Sequence, residues 1–185
     1  KMGQKGAHTC DVIFENVRVP ASHLIGGREG QGFKTAMKEL EKGRIHLAAV
    51  CVGVAQRILN DALRYAVDRK QFGQSIADFQ LVQAMLADSK AELYAAECMV
   101  IDAARKRDEG RNVATEASCC KMFASEMVGR VADRAVQIFG GAGYMQDSVV
   151  ERLYRDVRVF RIYEGTTQIQ QITIAKHLMR AAAAQ

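Results

Sequence analysis

Apolar residues at Leu47, Ala48, Cys51, Val52, Ala55, Ile58, Leu59, Ala62, Leu63 and Ala66 recur at steps of three and four. Only a helix gathers such positions into one stripe, so this run limits the possible folds more than any other feature of the chain. A long helix with an apolar stripe must be covered by other elements, and the composition says what they are. One proline in 185 residues, no tryptophan, and abundant Ala, Met, Leu, Glu, Lys and Arg favour further helices over a sandwich or barrel. The length is that of one substantial domain able to bury a core.

The periodic run stops at Gln71-Phe72-Gly73. A second long helix is expected from about Ala77 to Lys106, with Val82, Met85, Leu86, Ser89 and Leu93 on one face and Asp108-Glu-Gly110 as its breaker. A third is expected from about Val113 to Phe139, ended by Gly140-Gly-Ala-Gly143. A shorter helix near Val149 to Val157 and a last one near Thr166 to Arg180 complete the set. Before all of these, Asp11-Val-Ile-Phe-Glu-Asn-Val-Arg-Val-Pro20 reads as extended, and Gly26-Gly-Arg-Glu-Gly30 reads as a linker. Helices joined by short loops pack as antiparallel neighbours, so the expected fold is mainly all-α, an antiparallel helix bundle with a short N-terminal β remnant. The chain opens at Lys1 on strand-like text, which reads as a piece of a longer polypeptide.

A net charge of +5, with Lys and Arg scattered among Asp and Glu, does not indicate nucleic-acid binding, and it suits a small anionic ligand equally well. Cys10, Cys51, Cys98, Cys119 and Cys120 form no CxxC pair and lie mostly in apolar helical text. They read as reduced, buried thiols of a cytosol-like compartment, without a disulfide framework or a metal site. No apolar run approaches the roughly 18 residues of a membrane span.

Three constellations carry chemistry, each with a plainer counterpart. Gly140-Gly-Ala-Gly143 has the composition of a phosphate-cradling loop, but it lacks the preceding strand and the lysine of a P-loop, and it serves equally as a helix stop. Arg69-Lys-Gln-Phe-Gly73 sets a guanidinium and an aromatic ring beside a helix end, suited to a pyrophosphate and a flat ring, or simply to solvent. Glu164 lies between Tyr163 and Gly165 just ahead of the last helix. There, a carboxylate among apolar groups can remove a carbon-bound proton while a backbone N–H stabilises the enolate oxygen. A surface glutamate capping the helix is the alternative.

Taken together and in this order, Arg69-Lys-Gln-Phe-Gly73, Gln137-Ile-Phe-Gly-Gly-Ala-Gly-Tyr144 and Ile162-Tyr-Glu-Gly-Thr-Thr-Gln-Ile-Gln170 resemble the C-terminal half of an acyl-CoA dehydrogenase. Residues 1 to about 29, including Val17-Arg-Val-Pro20, resemble the end of that family's middle β-domain, and residues 30 to 185 its C-terminal helical domain. The resemblance implies that Glu164 is the base taking the α-proton of an acyl-CoA thioester as a hydride passes to N5 of FAD, giving a trans-2-enoyl-CoA. It implies oxyanion contacts from the Glu164 N–H and a ribityl hydroxyl. Arg69, Phe72, Gln137, Gly140 and Gly141 match positions holding the ADP half of a neighbouring subunit's FAD, and Gln80 matches another FAD-facing position. Thr166, Thr167 and Gln168 match the turn that contacts the cofactor, while Gly165, Glu41 and Arg44 match substrate-side positions, with Arg44 able to orient Glu164.

The resemblance further implies a homotetramer, a dimer of dimers sharing FAD across subunits, with an electron-transfer flavoprotein as acceptor. The compartment would be the cytoplasm if bacterial, or the mitochondrial matrix if eukaryotic. Some branched-chain members carry the base on the first long helix, just before the arginine; this chain has Gly43 there, which leaves the role to Glu164. The family's N-terminal helical domain and most of its β-domain are not in this sequence, so little activity is expected of these residues by themselves. The alternatives are an oxygen-using relative, such as an acyl-CoA oxidase or a nitroalkane-oxidising flavoprotein, and a noncatalytic helical oligomerisation module.

Overall fold

The structure, a computed structural model, describes residues 1 to 184 and, for Glu41, the backbone alone. The helix announced by the periodic run is α1 (Gly32–Asp68). It begins well before the stripe, and among the described residues Ile45 is the first buried one on it. It is followed by a two-residue antiparallel ladder of β1 (Lys70–Gln71) and β2 (Gln74–Ser75). Phe72 and Gly73 form the two-residue loop with φ of 53° and 83°. Two consecutive positive φ values give the turn whose twist suits a hairpin, and Gly73 takes that conformation without strain. Ser75 ties the hairpin down by donating to the Ala66 carbonyl at 2.8 Å.

The chain then enters α2 (Gln80–Asp108), α3 (Ala114–Phe139), α4 (Val149–Val157) and α5 (Thr167–Ala183). Their bounds lie close to those the periodicity gives. Successive long helices are antiparallel: Arg130 and Arg134 of α3 meet Glu92 of α2, while Lys106 near the end of α2 meets Glu116 at the start of α3. The first and third helices therefore run parallel. At one end Arg44 reaches Ser118, and at the other the Tyr65 and Phe139 rings stack with centroids 4.0 Å apart.

Among these helices α3 is central, packing on α1, α2, α4 and α5. Its inward positions are small or apolar, including Ala117, Cys120, Ala124, Met127, Val128, Val131, Ala132 and Ala135. Removing such side chains from water is the main stabilising term, about 1.5–3 kcal/mol for each fully buried Val or Met. Ser118, Lys121 and Ser125 are the polar exceptions on the same helix. Among the described residues no helix is long and apolar enough to cross a membrane, and no group of three or more His, Cys, Asp and Glu is placed to hold a metal ion.

The N-terminal segment differs from expectation in one respect. Residues Asp11 to Pro20 are exposed and form no strand; β1 and β2 are the strands among the described residues. Extended chain becomes a strand only when a neighbour completes its hydrogen bonds, and among the described residues none pairs with this segment. The first residues are instead docked on α4: Gln4 donates its backbone N–H to the Asp156 carboxylate, and Arg155 donates to the Met2 carbonyl at 2.9 Å.

The five thiols are free, but they are not all buried. Cys51 and Cys120 are enclosed, whereas Cys98 sits on the outer face of α2 and Cys10 on the exposed N-terminal segment. Burial pushes both Cys51 and Cys120 up to about 12. Since the thiolate is the reactive form, iodoacetamide at pH 8 is expected to spare Cys51 and Cys120 in the folded protein and to modify them once urea unfolds it. Peptide mapping by mass spectrometry reads the outcome.

Candidate active site

Two groups of residues singled out by the sequence are collected at opposite ends of the bundle. Arg69 and Phe72 lie at the hairpin after α1, Gln80 opens α2, and Gln137, Gly140 and Gly141 close α3. Because α1 and α3 are parallel and α2 is antiparallel to both, all six are brought to one end. Each is exposed. Gly140 has φ 60° and ψ −139°, a conformation that a side chain would strain, and an added Cβ at Gly140 or Gly141 would meet only open space. An exposed guanidinium, two amides and bare backbone make a surface suited to an anionic, hydrogen-bonding ligand.

The second group surrounds the turn between α4 and α5. A short 3-10 stretch, Arg158–Arg161, carries the chain from α4 to Glu164. Glu164 has φ +56°, rare for a residue with a side chain, and Gly165 follows at +84°. At Gly165 an added Cβ would lie 2.6 Å from the Gln170 amide nitrogen, so glycine is needed for space as well as for conformation. The turn is held from below. Gln170 donates its amide to the carbonyls of Glu164 and Gly165, each at 3.1 Å, and Lys121 of α3 donates to the Gly165 carbonyl at 2.6 Å. Both side chains are completely buried.

This turn aims the Glu164 side chain at α1. An added Cβ at Gly43 would stand 3.1 Å from the Glu164 carboxyl carbon and nearer still to Oε2. Glycine in a helix interior costs about 1 kcal/mol relative to alanine, and here it leaves the volume that the carboxylate fills. Glu164 Oε2 is buried without a hydrogen-bond partner among the described residues. A surface cap does neither of these things, and the helix is in any case capped by Thr166, whose hydroxyl accepts from the Ile169 N–H at 3.3 Å. The Glu164 N–H likewise finds no backbone acceptor among the described residues.

The remaining expected residues are distributed unevenly. Gly165 and Thr166 lie in the turn and Gln168 is exposed on the first turn of α5. Thr167 is buried with its hydroxyl donating to Glu126 at 2.7 Å, and Arg161 donates to the other oxygen of that carboxylate at 3.2 Å. Arg44 follows Gly43 on α1, but among the described residues no ion pair joins it to Glu164; its Nη1 donates to Ser118 at 3.2 Å and its buried Nε has no partner. The Glu41 side chain lies outside the described residues.

Sequence reasoning did not single out Lys121, Ser118 or Gln170. A signal for Lys121 existed, since a lysine at the apolar period of α3 is out of place. Burial pushes its ammonium below the usual lysine range, with Arg44 adding to that and Cys51, Glu126 and Glu164 opposing it.

Comparison with known proteins places the chain and its fold. Residues 30–179 match the family model described as acyl-CoA dehydrogenase, C-terminal domain. The chain is 47% identical over 180 residues to the caffeyl-CoA reductase-Etf complex subunit CarC of Acetobacterium woodii, a match covering 97% of this chain and 47% of that protein. It thus spans about half the length of such relatives. Among solved structures, butyryl-CoA dehydrogenase from Megasphaera elsdenii superposes with a TM-score of 0.80 at 42% identity, over 83% of this chain and 40% of that one. The FAD complex of PigA superposes with a TM-score of 0.78 at 32% identity, over 82% of this chain and 40% of that one. On the family model, the identity to these relatives and the shared bundle, the chain belongs to the acyl-CoA dehydrogenase family.

Proposed function

We propose that this chain is the C-terminal helical part of an FAD-dependent acyl-CoA dehydrogenase in which Glu164 abstracts the α-proton of an acyl thioester. The observation that carries the reading is the buried, unpartnered Oε2 of Glu164, held against the bare backbone of Gly43 by a turn with positive φ. A carboxylate oxygen left without a donor keeps a lone pair for a carbon-bound proton. The unengaged Glu164 N–H suits the thioester carbonyl, which gains negative charge as that proton leaves. FAD, when bound, supplies the hydride acceptor at the β-carbon. Gly165 adjoins this chemistry, and Arg44 contributes positive charge from α1 without touching the acid.

The FAD-complexed relative PigA supports FAD as the cofactor, and the open end of the bundle fits its ADP half. Arg69, Phe72, Gln80, Gln137, Gly140 and Gly141 would hold it. At 1.5 Å per residue, Arg44 is about 36 Å from the end of α1 at Asp68, and Ser118 is about 29 Å from Gln137 along α3. That separation supports assigning the two ends to different FAD molecules and hence an oligomer, a dimer of dimers by family resemblance. With Thr167 turned inward onto Glu126, contacts from the turn to flavin fall to Thr166 and Gln168. The name of the CarC relative, a reductase-Etf complex subunit, supports an electron-transfer flavoprotein as partner. It also favours a second reading in which the reaction runs toward saturation; by microscopic reversibility Glu164 then protonates the α-carbon.

In the full-length flavoprotein, Glu164→Gln is expected to retain FAD and acyl-CoA binding while anaerobic bleaching of the flavin by acyl-CoA slows about 100- to 10,000-fold. Bleaching at the unaltered rate would remove Glu164 from the reaction, and peroxide formation in air would favour the oxygen-using relatives instead. Gly43→Ala introduces a methyl where the carboxylate lies. Its expected effect is flavin content and melting temperature close to the parent, with stopped-flow bleaching slower by about 100-fold, the penalty for roughly an ångström of displacement at a reacting group.

A further inference from the structure

A lysine on the buried face of α3, near its N-terminal end, has no packing reason to be there. Lys121 has no exposed surface, and enclosing an ammonium costs several kcal/mol unless its protons are answered. A methionine would fill the same space without that penalty. The charge is not matched by one close acid, since Lys121 makes no salt bridge among the described residues. Cys51 and Arg44 face it from α1, Glu126 from one turn along α3, and Glu164 from the turn above. Its hydrogen bond runs instead to backbone, to the Gly165 carbonyl at 2.6 Å.

That carbonyl belongs to the peptide immediately after the residue read as the base. Glu164 and Gly165 hold φ of +56° and +84°, and a side-chain-bearing residue in this region is strained. Such a turn persists only if its surroundings over-determine it. Gln170 supplies one amide to two carbonyls at 3.1 Å, a divided and longer contact. Among the described residues the Lys121 bond is the shortest and the only charge-assisted one reaching the turn. Gly43 supplies room for the carboxylate but nothing that pulls it there.

We propose that Lys121 is a positioning residue for the α-proton transfer, which by clamping the Gly165 carbonyl holds the strained Glu164–Gly165 turn in the conformation that directs the carboxylate toward Gly43 and leaves the Glu164 N–H free. The inference rests on the reading of Glu164 as the base, and it separates two duties of the turn. Gln170 secures the turn to α5, while Lys121 ties it to α3, the helix around which the bundle is assembled. Loss of the clamp lets the turn relax toward ordinary backbone angles, which moves the carboxylate while the acyl-CoA and flavin contacts elsewhere persist.

The test uses the full-length flavin-loaded protein and three variants, Lys121→Met, Lys121→Gln and Glu164→Gln. The probe is the straight-chain acyl-CoA that bleaches the parent fastest, together with its α-deuterated form. Lys121→Met is expected to keep flavin content and acyl-CoA affinity, to bleach about 10- to 100-fold more slowly, and to show a larger α-deuterium isotope effect, because proton removal becomes more fully rate-limiting. Lys121→Gln keeps an N–H donor and is expected to recover part of the rate. Bleaching of Lys121→Met at the parent rate with an unchanged isotope effect overturns the proposal. So does failure of both Lys121 variants to take up flavin, which would make the lysine a residue of the fold at large. Parent-rate bleaching by Glu164→Gln would instead sink the base assignment, and the positioning role with it, whatever the Lys121 variants do.

Discussion

The structure depends on the near-complete enclosure of α3. A helix packed on several sides by four others can carry side chains only if they are small, apolar or answered, and the alanines, valines and Met127 satisfy the first two conditions. Two of the three buried polar residues on it mark places where another element closes over the bundle, while Ser125 is answered within α3 by the Met122 carbonyl. Ser118 meets Arg44 of α1, and Lys121 meets the turn before α5. The Glu164 turn therefore rests on a helix that, with α1, supplies much of the core. Site and scaffold are one packing arrangement.

The two ends of the bundle obey different physics. At the end formed by Arg69, Phe72, Gln80, Gln137, Gly140 and Gly141, side chains are exposed and the glycines face open space. Around Glu164 the residues are half-buried over the fully buried Lys121 and Gln170, and several buried polar atoms, Glu164 Oε2 and Arg44 Nε among them, have no partner among the described residues. An exposed recognition surface tolerates adjustment, since water answers whatever the ligand does not. Unanswered buried atoms carry a desolvation penalty and persist where function requires them.

Most of the helical layout was legible from spacing alone, because burial on a helix leaves a period of three and four that Leu47 to Ala66 and Met122 to Val136 record directly. The hairpin after α1 was not, since two residues of ladder leave no alternation to read. Asp11 to Pro20 misled for the converse reason: β-branched residues report a preference for extended backbone but not the presence of a partner strand. At the site, Glu164 and Gly165 stood out by residue type and order. Thr167 did not reveal that it turns inward, because two adjacent threonines at a helix start look alike in sequence and differ only in which side of the helix they face. Lys121 was readable as an anomaly, but its meaning needed the fold that sets it beneath Gly165.

The contact between Gly43 and Glu164 joins two positions far apart in the chain into one shared volume. Either can carry a side chain into that space, but not both, so the exclusion is steric before it is electrostatic. Across proteins built on this bundle, the two positions should therefore covary as alternatives: a small residue at one wherever the other bears the acid. A second carboxylate would be barred by its size even if its charge were neutralised. The bundle thus leaves one volume between these segments, and in this chain the Glu164 carboxylate fills it.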